Sequence, residues 1–245
     1  MTVDVLAFGP HPDDIELTCA GTLLRLASEG YATGVVSLTA GELGTRGTVE
    51  TRAREFDAAA AVLGTRVHRI LNLPDGGLSS CESQKREVIE TIRELRPRIV
   101  LAPYWEDRHP DHANGSKLVS EASFLAGLSR IETGQPAHRP VRVLFYPCRY
   151  EFKPSFIVDV SDFHERKVQA IHCYQSQFGG DSADGAGQVE TNISHPGFLE
   201  AVIARARQYG SYIGVAYGEP FLVREPMKLN DPVAFFGQGY SNSFV

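Results

Sequence analysis

The sequence predicts a single α/β domain in which a mostly parallel sheet is covered by helices on both faces, followed by a C-terminal elaboration. Short apolar runs rich in β-branched residues alternate with longer helical stretches through the first two-thirds of the 245 residues. Strands that alternate with helices of this length form parallel sheets, because each helix carries the chain back to the edge where the previous strand began.

Four strand–helix pairs are expected in order along the chain. The strands are predicted at 3–8, 34–38, 67–71 and 99–102, and the helices that follow them at 16–29, 49–63, 82–95 and 111–129. Gly30 and Gly64 stand where helix C-caps belong, and Pro97 ends the third helix. Two further strands are expected at 141–146 and 156–160.

The pattern changes after Ser161. A helix is predicted at 162–177, and the stretch at about 179–195, rich in Gly, Asp and Ser, is expected to be a variable loop. Pro196 then opens a helix that reaches about Tyr209, and 213–227 returns to a composition typical of strands. No repeat or low-complexity tract interrupts the chain, so residues 1–245 are expected to form one domain.

Composition and charge argue against several classes of function. A net charge of −6 disfavours a nucleic-acid or anionic-membrane partner, since both call for a basic face. No apolar run approaches the roughly 20 residues of a membrane-spanning helix, and the N-terminus lacks the basic region of a signal peptide. The four cysteines are widely spaced, so reduced thiols and a cytoplasmic location are expected.

Two short motifs carry the residues expected to do chemistry. PHPDDIE at 10–16 directly follows the first predicted strand, and DRHPDH at 107–112 follows the fourth. Ligands of open parallel sheets bind beyond the carboxyl ends of the strands, so the fold would bring both motifs together. Either motif alone could simply cap a helix, whereas their convergence favours a metal site.

His11, Asp14 and His112 are the predicted metal ligands. His11 and Asp14 lie three residues apart at a turn that enters a helix, so both can face one point that His112 also reaches. Two imidazoles and one carboxylate leave a fourth tetrahedral position open, as in catalytic zinc sites, where bound water ionises near neutral pH. The same ligands would accept Fe²⁺ or another divalent ion.

The remaining polar residues of the motifs have predicted catalytic tasks. Asp13 could accept the proton of the metal-bound water, and His109 could stabilise an oxyanion or protonate a leaving amine. Asp111 could hold one imidazole in the required tautomer. Amide hydrolysis needs such a set, because it requires an activated water, a polarised carbonyl and an acid for a poor leaving group.

The sequence around these residues resembles a known family. VLAFGPHPDDIE and RHPDH are similar to motifs of the PIG-L/LmbE superfamily of zinc-dependent N-deacetylases, whose usual first motif is AHPDD, so Pro10 replaces an alanine outside the ligand set. The resemblance extends to TAGELGTRGTVETR at 39–52, to Arg52-x-x-Glu55 with the Ala-rich helix that follows, and to LPDGGL at 73–78. FIVDVS, AIHCYQSQF and YGEPF are similar to the branch that deacetylates N-acetylglucosaminyl malate in bacillithiol biosynthesis.

The resemblance implies a Rossmann-like fold, frequent homo-oligomers and hydrolysis of the N-acetyl group of an amino sugar. The zinc ligands that it implies are the three already predicted, and Asp13 falls on the general base. His109 falls on the histidine that supports the tetrahedral intermediate, with Asp111 as its partner. Arg52 matches an arginine that contacts the substrate.

Several weaker candidates stay open at this stage. Glu42, Arg46 and Thr48 either rim the pocket or form an ordinary surface turn, and Asp75 is expected to be a turn residue. Tyr217 could lend a hydroxyl to an oxyanion, although packing is the commoner role. Trp105 could form a pocket wall or belong to the core.

Two other functions remain as alternatives to deacetylation of an N-acetylglucosaminide. One is deacylation of another small N-acylated sugar or amide, and the other is non-catalytic binding of a metal or sugar. Asp13 separates enzyme from sensor, since a sensor needs no base beside the water. A nucleotide-binding module is disfavoured, because HPDD replaces the Gly-rich phosphate loop and its two aspartates would repel phosphate.

Overall fold

The computed structural model describes residues 2–179 and 189–237. Its main sheet has five parallel strands in the order β3-β2-β1-β4-β5. The strands are β1 (Val5–Gly9), β2 (Thr33–Thr39), β3 (Val67–Leu73), β4 (Ile99–Pro103) and β5 (Arg142–Tyr146). The predicted α/β class is therefore confirmed, and β1 lies at the centre of the sheet.

Helices cover both faces of this sheet. They are α1 (Asp14–Thr18), α2 (Ala20–Ser28), α3 (Val49–Leu63), α4 (Glu82–Leu95), α5 (Pro110–Leu125) and α6 (His164–His172). Three further helices of the described chain are α7 (Gln175–Phe178), α8 (Pro196–Ser211) and α9 (Pro232–Phe236). Along β1, Leu6 and Phe8 belong to the core cluster that includes α4 and α5 residues, whereas Val5 and Ala7 belong to the cluster under α2, α3 and α6. This alternation fits a central strand buried on both faces.

The first predicted helix is divided in the structure. It begins at Asp14 and breaks at Cys19, where φ is −122°, and a second helix starts at Ala20. The carboxylate of Glu219 accepts hydrogen bonds from the backbone N–H groups of Gly21 (2.9 Å) and Thr22 (2.7 Å). Because this distant side chain satisfies the first free N–H groups of α2, the helix can begin without a local cap.

The predicted helix at 162–177 is also divided. A 3₁₀ turn covers Ser161–Phe163, and α6 and α7 are separated at Tyr174, whose backbone is not helical and whose ring is fully buried. Most of the predicted variable loop, residues 180–188, lies outside the described residues.

A small antiparallel sheet forms the C-terminal elaboration. Strands β6 (Phe156–Asp159) and β7 (Gly218–Phe221) pair with each other, and a bridge between Phe145 and Leu222 links them to β5. The strand-like stretch predicted at 213–227 is thus limited to four residues. Within 2–179 and 189–237, no helix has the length and apolar character needed to cross a lipid bilayer.

Candidate active site

Both sequence motifs lie at one edge of the parallel sheet. The turn at residues 10–13 follows the carboxyl end of β1, and residues 107–112 follow the adjacent strand β4 and enter α5. Strand β2, which follows β1 in the chain, lies on one side of β1, whereas β4 lies on the other side. The strand order therefore changes side at β1, and a crevice opens between the loops that follow β1 and β4. A cavity of about 640 Å³ lies there.

The three predicted metal ligands converge in this cavity. His11 Nδ1 lies 3.2 Å from Asp14 Oδ2, and His112 Nε2 lies 3.3 Å from Asp14 Oδ1. One ligand atom from each of the three residues falls within 4.8 Å of the other two. Pro12 directly follows His11, and Pro110 stands two residues before His112 at the start of α5, so both prolines restrict the backbone that carries the ligands.

The opposite ring nitrogen of each of these histidines faces a carboxylate. His112 Nδ1 lies 3.0 Å from Asp107 Oδ1, and His11 Nε2 lies 3.1 Å from Asp75 Oδ1 and 3.4 Å from Asp111 Oδ2. When the nitrogen that faces this carboxylate carries the ring proton, the second nitrogen of the same neutral ring keeps a lone pair. That lone pair is directed toward Asp14. The donor set therefore fits a divalent transition metal held by two imidazoles and a carboxylate.

The charges within this cluster are strongly coupled. Burial would raise the pKa of Asp14, but the charge of His112 and hydrogen bonding to both histidines hold it well below its usual value. Burial would likewise lower the pKa of His11, yet hydrogen bonds to Asp111, Asp14 and Asp75 raise it well above the usual value. The negative charge of Asp14 is thus balanced by protons on the two imidazoles, and a bound cation would take the place of those protons.

Asp13 is held in a strained backbone conformation next to the ligands. Its φ is 111°, and its buried carboxylate lies 3.5 Å from Arg52 Nη2, which also donates to the carbonyl of Pro12 at 2.6 Å. Burial raises the pKa of Asp13 to about 7 against the opposing charge of Arg52. Non-glycine residues with such backbone angles persist only where surrounding contacts fix them, commonly at functional sites.

Arg52 is buried and bound to protein atoms, although it also lines the cavity. Besides Pro12 and Asp13, its guanidinium donates to the carbonyl of Gly41 at 3.3 Å. Contact between Arg52 and a substrate stays a prediction. The structure shows a second role for Arg52, because its side chain connects helix α3 to the turn that carries Asp13.

His109 forms the N-cap of α5 and lines the cavity beside the metal cluster. Its Nδ1 accepts a hydrogen bond from the backbone N–H of Asp111 at 3.2 Å, so the neutral ring carries its proton on Nε2. Burial and the nearby charges of His11 and His112 lower the pKa of His109. The carboxylate of Asp111 accepts from Gly76 N (2.6 Å) and faces the His11 ring, so its nearest imidazole partner is His11.

Sequence reasoning missed two carboxylates of this site. Asp75, expected to be a turn residue, contacts His11 across 64 positions of sequence and also accepts from the backbone N–H of Leu43 at 2.9 Å. Asp107 stands inside the second motif but had no assigned role. Its position five residues before His112 is the one local signal that could have identified it.

Some of the weaker candidates line the active-site cavity, and the others only make contacts within the protein. Arg46 lines the cavity, whereas Glu42 accepts from Asp75 N and Thr48 caps α3. Tyr217 stacks on His164 with ring centroids 3.6 Å apart and is absent from the described cavity lining, and Trp105 packs against Phe145. Tyr217 is therefore a packing residue, whereas Trp105 packs at the edge of the core and lines a second, separate cavity.

The similarity of this chain to known proteins agrees with the chemistry that the site geometry supports. Residues 6–123 match the model of the PIG-L family, described as GlcNAc-PI de-N-acetylase. The chain is 34% identical over 192 residues to a diacetylchitobiose deacetylase of Thermococcus kodakarensis, covering 72% of this chain and 71% of the relative. It is 28% identical to a probable N-acetyl-α-D-glucosaminyl L-malate deacetylase 2 of Bacillus anthracis, covering 71% and 81%.

Solved structures share the whole fold. A conserved protein of Thermus thermophilus superposes with a TM-score of 0.84 at 40% identity, covering 94% of this chain and 98% of the other. The N,N'-diacetylchitobiose deacetylase of Pyrococcus horikoshii, in complex with an inhibitor, gives a TM-score of 0.77 at 26% identity, covering 95% and 85%.

Fold, site and relatives together define an N-deacetylase, a hydrolase that cleaves amide bonds. The chain belongs to the PIG-L/LmbE superfamily of these enzymes.

Proposed function

We propose that this protein removes the acetyl group from the nitrogen of an N-acetylglucosaminide, and that the substrate is N-acetylglucosaminyl malate. The observation that carries this proposal is the convergence of His11, Asp14 and His112 in one cavity that Asp13 and His109 also line. A sensor would need the first three residues only. A buried carboxylate held beside them in a strained backbone supports an enzyme.

The proposed metal is Zn²⁺, held by His11, Asp14 and His112. The mixed donor set of two imidazole nitrogens and one carboxylate supports this choice, although Fe²⁺ accepts the same ligands. When bound, such an ion would supply a Lewis acid that polarises the acetamide carbonyl and lowers the pKa of water.

The chain's own residues then handle the protons. Asp13 takes a proton from the attacking water, whose oxygen forms a bond to the acetamide carbon. The proton on His109 Nε2 stabilises the developing oxyanion or is transferred to the departing nitrogen as the C–N bond breaks, leaving acetate and a free amine. Asp75, Asp107 and Asp111 hold the ligand imidazoles in the tautomers that this arrangement requires.

The choice of an amino sugar is supported by the relatives. The names of the Thermococcus and Bacillus relatives both describe deacetylation of N-acetylated glucosamine compounds. The malate conjugate is favoured by the C-terminal segments FIVDVS, AIHCYQSQF and YGEPF, which span residues 156–161, 170–178 and 217–221. The first and last of these form the paired strands β6 and β7.

The test is acetate release by the metal-loaded protein from N-acetylglucosaminyl malate, free N-acetylglucosamine and an N-acetylated peptide. We expect the glucosaminides to be hydrolysed, with the malate conjugate giving the highest kcat/KM, and chelator-treated protein to be inactive. Comparable kcat/KM for all three compounds would remove the claim of a glucosaminide pocket. No acetate release from any compound at full metal occupancy would favour the non-catalytic alternative.

A further inference from the structure

The cavity contains arginines that the proposed chemistry does not use. Five arginines line it, and two of them are buried and bound to backbone carbonyls, namely Arg46 and Arg52. The other three are Arg108, Arg149 and Arg205. Arg108 and Arg149 are exposed, and Arg205 is half-buried.

Two hydrogen bonds connect the chain segments that carry these three arginines. The backbone N–H of Arg149 donates to the carboxylate of Asp107 at 2.7 Å, and Asp107 directly precedes Arg108. The guanidinium of Arg205, on α8, donates to the carbonyl of Cys148 at 2.7 Å, one residue before Arg149. Three separate segments of the chain therefore place cationic side chains around the 107–108 and 148–149 backbone.

The acidic residues of the lining do not neutralise these arginines. The lining aspartates all face other partners: Asp13 faces Arg52, Asp14 faces His11 and His112, Asp75 faces His11, and Asp107 faces His112. In the described part of the chain, no carboxylate lies within 4.0 Å of the guanidinium groups of the three arginines. Within 2–179 and 189–237, Arg108, Arg149 and Arg205 therefore form a local cationic surface of the cavity, called here the arginine wall, in a chain whose net charge is −6.

We propose that Arg108, Arg149 and Arg205 bind an anionic group on the aglycone of the sugar substrate, a carboxylate or a phosphate. The inference rests on the proposed function, since it assigns the two ends of the same cavity to two parts of one substrate. The acetamide lies at the metal cluster, and the aglycone lies against the arginine wall. Guanidinium groups bind both kinds of oxyanion through paired hydrogen bonds, which makes them selective for charge and shape.

The proposal makes this enzyme selective against neutral aglycones. The second sugar of N,N'-diacetylchitobiose carries no charge, so it would offer the arginines only neutral hydroxyl and amide oxygens, which bind a guanidinium group more weakly than an oxyanion does. Leaving charged groups partly desolvated and unpaired disfavours binding of such a substrate. The side chains of Phe198 and Val202, which also line the cavity from α8, offer an apolar surface that either kind of sugar could contact.

The experiment compares four substrates with the metal-loaded protein. N-acetylglucosaminyl malate presents carboxylates, N-acetylglucosamine 1-phosphate presents a phosphate, and methyl N-acetylglucosaminide and N,N'-diacetylchitobiose are neutral. We expect kcat/KM for at least one anionic substrate to exceed that for both neutral substrates by roughly tenfold or more. Added salt should reduce this preference, because part of the attraction is screened. Whichever anionic substrate is preferred identifies carboxylate or phosphate as the natural group.

Two variants test the assigned arginines. Arg149→Gln, alone and combined with Arg108→Gln, should reduce the ratio of anionic to neutral kcat/KM, and the double variant should reduce it further. Arg130→Gln is the matched control, because Arg130 is exposed and absent from the cavity lining. This substitution removes the same charge as Arg149→Gln does. This control should keep the wild-type ratio.

The outcomes separate this inference from the function on which it rests. If the wild-type enzyme hydrolyses neutral and anionic glucosaminides equally well, or if Arg149→Gln lowers both activities by the same factor, the anion site is overturned while the deacetylase function stands. If no N-acetylglucosaminide releases acetate, the proposed function fails and the anion site falls with it.

Discussion

At the scale of single residues, His11 and His112, the histidines proposed as metal ligands, each have a carboxylate on the ring nitrogen that faces away from Asp14. Asp107 faces His112, and Asp75 and Asp111 face His11. Such partners fix the tautomer and increase the basicity of the ligand nitrogen, so they influence metal affinity without touching the metal. They also hold the imidazoles in place before a metal binds.

Asp75→Asn tests this arrangement. The amide cannot accept a charge-assisted hydrogen bond from His11 as a carboxylate does, so zinc affinity should fall by about 10- to 100-fold. The measurement is a competition titration with a chromophoric chelator. Asp57→Asn serves as the control, because Asp57 is exposed and contacts only His68 at 3.2 Å in the described structure. Equal zinc affinity in wild type and Asp75→Asn would contradict the role given to Asp75.

Asp13→Asn tests the assigned base. An asparagine at this position cannot accept the proton of the attacking water, so kcat should fall by about 10²- to 10⁴-fold. Zinc content should stay at the wild-type level, because Asp13 is not among the three converging ligands. Acetate release and metal analysis on the same sample check both expectations, and a near-wild-type rate would remove Asp13 from the mechanism.

At the scale of elements, the C-terminal sheet is connected to the N-terminal helices through Glu219. This buried side chain on β7 accepts from the first N–H groups of α2, from the Thr22 hydroxyl at 2.6 Å and from Lys167 Nζ at 2.6 Å. It therefore caps one helix and pairs with a cation on another, α6. Helix α1 begins within the first motif, at Asp14, and α2 follows it after Cys19, so Glu219 fixes the second of the two helices that continue this motif.

Glu219→Gln should destabilise the fold by about 3 kcal/mol, because it leaves the buried ammonium of Lys167 without a charged partner. Urea denaturation measures the change in the free energy of unfolding. The matched control is Glu94→Gln, which breaks an exposed pair with Arg69 at 2.8 Å and should cost less than about 1 kcal/mol. Equal losses in the two variants would show that Glu219 has no special structural role.

At the scale of the whole molecule, His164 makes stability depend on pH. Burial and the charge of Lys167 lower the pKa of His164 to about 4, with Glu219 opposing and Arg207 adding to the shift. An unfolded chain binds this proton near pH 6.5, whereas the folded chain does not until about pH 4. This group's contribution to stability is therefore complete above about pH 6.5 and is lost as the pH falls toward 4.

Replacing His164 with phenylalanine should remove that part of the acid sensitivity and preserve a ring against Tyr217. A difference of about 2.5 pKa units corresponds to at most about 3.4 kcal/mol of unfolding free energy between pH 6.5 and 4. Urea denaturation at several pH values compares the variant with the wild type. Parallel pH profiles for the two proteins would show that His164 does not carry the effect.

Much of the fold and the position of the candidate site could be predicted from the sequence, because both follow from local patterns. Alternating apolar runs indicate parallel strands, and a motif directly after a strand must lie at the sheet's carboxyl edge. The contacts of Asp75 with His11, of Arg52 with Asp13 and of Glu219 with α2 could not be predicted. Each joins residues far apart in sequence through tertiary packing, which leaves no local pattern. The homo-oligomer implied by the family resemblance stays a prediction.

The central claim is that His11, Asp14 and His112 hold one catalytic cation. The most direct test is the zinc stoichiometry and affinity of chelator-treated protein, measured by calorimetric titration for the wild type and for His112→Ala. The wild type should bind one zinc ion per chain, and His112→Ala should bind far more weakly and lose deacetylation in parallel. A variant that binds one zinc ion with wild-type affinity would contradict this ligand set.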